Sequence, residues 1–66
     1  MPLHEDLPFT IELWSEGYQR LEETIARAAD YLTAKAAFEA AVKRRPTEPI
    51  MLRDRARIVL RSHPDG

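Results

Sequence analysis

Ile50-Met-Leu-Arg-Asp-Arg-Ala-Arg-Ile-Val-Leu-Arg61 is the stretch that decides the fold class. Ile50, Leu52, Ala56, Ile58 and Leu60 fall on even numbers, and Arg53, Arg55, Arg57 and Arg61 on odd ones. On a helical wheel the same apolar residues spread around more than half the circle, so a period of two describes them better than 3.6. Extended backbone follows. The stretch is longer than a common strand of about 5–6 residues. A hairpin turning at Arg53-Asp54-Arg55 keeps the parity, setting Leu52 opposite Ala56 and Ile50 opposite Ile58. That turn lacks the Gly or Asn such loops favour, so one long bent strand stays open beside it.

Working outward toward the N-terminus, Pro46 forces Arg45 out of helical geometry, and Lys43, Arg44 and Arg45 suit the negative end of a helix. A helix therefore stops there. Between Tyr18 and Arg45 there is no Gly or Pro, and alanine dominates. Leu21, Ile25, Ala28, Ala29 and Leu32 share one helical face, whereas Ala34, Phe38, Ala41 and Val42 share another more than about 100° away. Two helices meeting near Asp30–Thr33 reconcile these faces, since both residues are suitable N-caps. A single bent helix is the alternative.

Ahead of the helices, Phe9, Ile11 and Leu13 alternate with Thr10, Glu12 and Trp14, which marks a half-buried strand. Ser15-Glu16-Gly17 turns the chain. Residues 1–8, with two prolines, read as a leader, residues 9–61 as one domain and residues 62–66 as a tail. The expected architecture is a two-layer α+β domain with the order β-α-α-β-β, an antiparallel sheet carrying a helical pair on one face. Its expected core is Phe9, Ile11, Leu13, Leu21, Ile25, Leu32, Phe38, Val42, Ile50, Leu52, Ile58 and Leu60.

Composition narrows the function classes. The chain has 66 residues, 44% hydrophobic and 32% charged, a balance too apolar for disorder and too polar for a membrane span. The absence of cysteine removes disulfides, thiol catalysis and Cys-ligated zinc. No signal-peptide pattern opens the sequence, so the expected compartment is the cytoplasm. Nine residues are alanine, which leaves a small core. Small chains without disulfides or metals commonly gain stability by association, and a homodimer is expected.

Catalytic chemistry finds no support in the residues. His4 and His63 lie in the two terminal segments, Ser15 has no neighbouring histidine, and there is no Gly-rich phosphate loop. Glu22 and Glu23 are explained as charges near a helix start. Neither a cofactor nor a metal site is expected, and the protein is expected not to be an enzyme.

Charge is uneven along the chain. Residues 1–23 carry a net charge of −5 and residues 43–61 a net charge of +5, within an overall −1. The solvent face of the expected sheet gathers Trp14, Tyr18, Met51, Arg53, Arg55, Arg57, Val59 and Arg61. Three uses of this face compete. It is a solvated surface whose arginines pair with Glu12, a protein interface anchored by Trp14 and Tyr18, or a nucleic-acid surface. Self-association through the sheet is the leading expectation, with no membrane or small-molecule partner.

Two resemblances accompany these readings. Tyr18-x2-Leu21-Glu22-x2-Ile25 with Ala34-x3-Phe38-x2-Ala41-x4-Pro46 resembles one tetratricopeptide repeat, which implies a helical hairpin that binds a peptide. Phe9-Thr-Ile-Glu-Leu-Trp14, Ile25-Ala-Arg-Ala28, Ala36-Ala-Phe38, Ala41, Pro46 and Ile50-x-Leu-Arg53 with Arg57 resemble a group of short uncharacterised bacterial proteins. That second resemblance implies a recurrent small fold and no known activity. Similar chains carry a Gly where this one has Arg55.

Overall fold

Alternation in β1 (Phe9–Trp14) translates directly into two faces. Ile11 is fully buried, Phe9 and Leu13 pack against the same core, and Thr10, Glu12 and Trp14 take the opposite side. The computed structural model describes residues 7–63. Most of the expected leader, with His4, and the end of the expected tail lie outside the described residues.

After β1 the chain turns through a short 3-10 segment, Glu16–Tyr18. Gly17 has φ +77° and Tyr18 φ +55°, so two consecutive residues occupy the left-handed region. Glycine accepts that conformation freely, whereas Tyr18 is strained there. Ser15 closes the turn twice. Its N–H donates to the Arg20 carbonyl at 2.8 Å, and its Oγ accepts from the Arg20 N–H at 2.9 Å.

The chain then returns as a strand, β2 (Leu21–Ala28), antiparallel to β1. Here the expected first helix is corrected. A tight turn delivers these residues alongside the unpaired backbone of β1, and ladder hydrogen bonds outweigh the helix preference of Leu and Ala. Two bulges disguise the strand's period. Ile25 and Glu22 are extra residues between Ala26 and Thr24 and between Glu23 and Leu21 in the register with β1. Each bulge resets the alternation, which left a 3.6-like spacing in the sequence.

A single helix follows, α1 (Tyr31–Arg44). Asp30 caps it, accepting from the Thr33 N–H at 2.9 Å and the Thr33 hydroxyl at 3.2 Å. Its C-terminal end falls where Pro46 requires, with Arg45 already non-helical at φ −134°. The Asp30 carboxyl is held below its ordinary value of 3.8, chiefly by the hydrogen bond from the Thr33 backbone. A depressed folded-state value means that the cap's stabilisation is present above 3.8 and is lost as pH falls through that lower value. Thermal unfolding of Asp30→Ala is therefore expected to show a lower midpoint than the parent at neutral pH, with the gap closing in strong acid. A gap that persists unchanged in acid would contradict the cap.

The last two strands, β3 (Ile50–Asp54) and β4 (Arg57–Arg61), form a hairpin rather than one long strand. The turn lies at Arg55-Ala56, later than the sequence places it, with Arg55 at φ +57°. Leu52 consequently faces Leu60 instead of Ala56. Val59 is a bulge residue between Leu60 and Ile58, which moves Ile58 opposite Arg53 and away from the core. Ile58 is 51% exposed, a second correction.

The four strands make one antiparallel sheet in the order β2-β1-β3-β4. The helix α1 packs across β1, β2 and β3 on one side. Between the layers lie Ile11, Ala28, Ala34, Phe38, Ala41, Ile50 and Leu52, with Phe9, Leu13, Ile25, Val42 and Leu60 partly buried around them. Leu21 (42% exposed) and Leu32 (77%) leave the expected core, because one belongs to an edge strand and the other to the outer side of α1. The fold is α+β as expected, with a strand and one helix in place of the helical pair. Ser62 and His63 are held to it. Ser62 Oγ accepts from the Ile50 N–H at 2.9 Å, and the His63 N–H donates to the Tyr18 hydroxyl at 3.2 Å.

Candidate interaction face

Because α1 covers one side of the sheet, the side chains of opposite parity form a face of their own. Cross-strand partners share a face in an antiparallel sheet, so the register gives its rows. Arg27, Thr10, Arg53 and Ile58 form one row, and Thr24, Glu12, Met51 and Arg61 the next. Leu21 and Trp14 follow at the end nearest the Ser15–Arg20 turn.

Glu12 sits at the centre of this face, yet it is only 2% exposed. Its Oε1 accepts from the Trp14 indole N–H at 2.9 Å. Its Oε2 accepts from the Thr10 hydroxyl at 3.0 Å, Arg53 Nε at 3.2 Å and Arg53 Nη2 at 2.7 Å. A carboxylate removed from water is tolerable only when its oxygens are filled, preferably by a cation. Both are. No described buried side-chain polar atom is left without a partner.

Met51, opposite Glu12, is 3% exposed although no second layer covers it. The neighbouring large side chains do so. Trp14 and Tyr18 stand 6.5 Å apart at a tilt of 51°, and the Arg61 guanidinium lies 5.5 Å from the Tyr18 ring centre. The Tyr18 hydroxyl points to the Ile50 carbonyl at 3.4 Å, which fixes the ring at the β3–β4 end of the face. Trp14, Gly17, Tyr18, Met51, Arg53, Ala56, Ile58 and Arg61 line a concavity of about 410 Å³.

Five of the eight expected surface residues therefore meet here: Trp14, Tyr18, Met51, Arg53 and Arg61. Three do not line it. Val59 is half-buried against the core on the helix side. Arg57 faces the same side as Asp54, with Nη2 3.1 Å from that carboxylate. Arg55 occupies the hairpin turn, with Nη1 3.7 Å from Asp54. The Val59 bulge and the later turn, both invisible to simple parity, explain these departures.

Leu21, Arg27 and Ile58 belong to the face and were not expected on it. For Ile58 and Leu21 the missing signal is the bulge that resets each strand's alternation. Among the described residues no three of His, Cys, Asp or Glu come together as a metal cluster. No described helix is long and apolar enough to cross a membrane. No family model, curated protein or solved structure matches the chain.

Proposed function

We propose that the protein is a non-enzymatic protein–protein interaction module that self-associates through the open face of its sheet. The observation that carries this reading is the composition of that face. Trp14, Tyr18, Met51 and Ile58 stand among Arg53, Arg61 and Arg27, on a sheet with a helix on its other side only. Aromatic residues, Met and Arg are the types enriched where protein interfaces bury surface.

The sheet's edges are poorer contact sites. β2 carries two bulges and β4 one, and Glu22, Glu23, Arg57 and Arg61 add charge along them. Bulges and charges on edge strands oppose further strand pairing. The open face, by contrast, groups Trp14, Tyr18, Met51 and Ile58 around one concavity.

Sedimentation velocity across a dilution series tests the reading. The expected result is a mass that rises above 7.6 kDa with concentration. Ile58→Lys, at a position already exposed in the monomer, should return the mass to that of one chain without changing the circular dichroism. A wild-type protein that stays monomeric throughout would overturn the proposal. A mobility shift with single-stranded nucleic acid at low salt would transfer the face to the competing use, through phosphate contacts and base stacking.

A further inference from the structure

Tyr18 walls the concavity, yet its backbone conformation is one that its own side chain opposes. A φ of +55° is unfavourable for a bulky residue and persists only where the surroundings fix it. The turn's own hydrogen bonds, between Ser15 and Arg20 and from the Tyr18 N–H to the Ser15 carbonyl, would serve any residue at position 18. What is particular to Tyr18 is its ring, and the ring is held largely by residues that follow β4 or end it. The His63 N–H donates to the Tyr18 hydroxyl at 3.2 Å, and the Arg61 guanidinium lies 5.5 Å from the ring centre. The hydroxyl in turn directs its proton to the Ile50 carbonyl at 3.4 Å, a longer contact.

Ser62 and His63 are themselves seated on the connection between α1 and β3. The Ser62 N–H donates to the Ile50 carbonyl at 2.9 Å. Its Oγ accepts from the Ile50 N–H at 2.9 Å and donates to the Glu48 carbonyl at 3.3 Å. His63 Nε2 lies 3.0 Å from the Pro46 carbonyl, and because a carbonyl only accepts, that nitrogen carries the proton. We infer that Ser62-His63 is a strap that sets the Tyr18 wall. With the strap seated, Tyr18 stays left-handed and the concavity is formed. With it lifted, the hydroxyl keeps only its long contact to Ile50, the backbone relaxes, and the wall opens.

Ile50 decides which state dominates. It is fully buried, and lifting the strap leaves its N–H without the Ser62 oxygen. An unpaired buried donor is costly, so the lifted state is the minor one, reached by local opening. The coupling is reciprocal: what loosens the strap loosens Tyr18, and what removes the Tyr18 hydroxyl loosens the strap. The strap adds control to the contact surface proposed above, and rests on that reading for this consequence alone.

Nuclear magnetic resonance on two mild variants, in dilute solution, tests the strap. His63→Ala removes the ring's bond to Pro46 and changes no side chain lining the concavity. Tyr18→Phe removes only the hydroxyl. A positive φ gives a strong amide–α cross-peak within one residue. In His63→Ala that peak should weaken at Tyr18, and the Trp14 ring signals should shift. Each variant should speed exchange of the Ile50 amide on the order of fivefold, the worth of one hydrogen bond, without altering the β1–β3 ladder. The double variant should fall short of the product of the two, because both act on one network. Where the protein associates, His63→Ala should raise the dissociation constant by a similar factor. The strap is overturned if His63→Ala leaves the Tyr18 cross-peak and the Ile50 exchange at their wild-type values, or if Tyr18→Phe leaves that exchange unchanged. A monomeric wild type overturns the contact reading instead, and the Tyr18 and Ile50 signals still decide the strap.

Discussion

Replacing Glu12 with alanine is expected to lower the unfolding free energy by about 2–4 kcal/mol. The carboxylate is almost fully buried and holds four hydrogen bonds, two of them from Arg53. Its removal strands the Trp14 indole N–H and the Arg53 guanidinium beside a cavity. The lower part of the usual range for breaking a buried ion pair applies, because the Arg53 side chain is 31% exposed and can recruit water. A domain of this length has roughly 3–10 kcal/mol of stability in total. At the low end of that range the Glu12→Ala protein would be largely unfolded near room temperature.

The comparison with two other variants separates charge from shape. Glu12→Gln keeps an acceptor for Trp14 and Arg53 and should cost less than Glu12→Ala. Glu12→Leu combined with Arg53→Met removes both charges together, and such replacements are often neutral or stabilising. The double variant should recover most of the stability lost in Glu12→Ala. Urea unfolding followed by fluorescence checks the series, since Trp14 is the chain's one tryptophan and is bonded to Glu12. A loss below about 1 kcal/mol in Glu12→Ala would show that the network contributes no more than an exposed pair.

The same network shows how the face could be read from residues alone. Thr10, Glu12 and Trp14 share parity on β1, and Met51 and Arg53 share it on β3, with no bulge between these two strands. Simple alternation therefore worked where the ladder is regular. It failed at β2 and β4, where Glu22, Ile25 and Val59 interrupt the register. Leu21, Ile25 and Ala28 imitate a helical stripe only because two bulges fall between them. The capping of α1 by Asp30 and its end before Pro46 were legible because both depend on local backbone chemistry. Whether residues 21–28 pair with β1 depends on a turn whose Tyr18 adopts φ +55°, a conformation that residue type does not announce.

The largest effect on the other side of the sheet is expected at Phe38. The buried residues of α1 are Ala34, Phe38 and Ala41, so one aromatic ring supplies most of the volume that ties the helix to the sheet. Phe38→Ala should cost about 3–5 kcal/mol through lost burial and the cavity left above Ile50 and Leu52. The helix has 14 residues. At that length helices are marginal in water without packing. Undocking should therefore appear as lost helical circular dichroism as well as a lower urea midpoint. Leu32→Ala is the counterpart: at 77% exposure it should change stability by no more than about 0.5 kcal/mol, although its helical spacing alone assigns it to the core. Phe38→Leu should fall between the two and leave the open face unchanged, because Phe38 lies across the sheet from Trp14 and Tyr18. If Leu32→Ala proved the more damaging substitution, α1 would have to be rotated on the sheet and the division into covered and open faces redrawn.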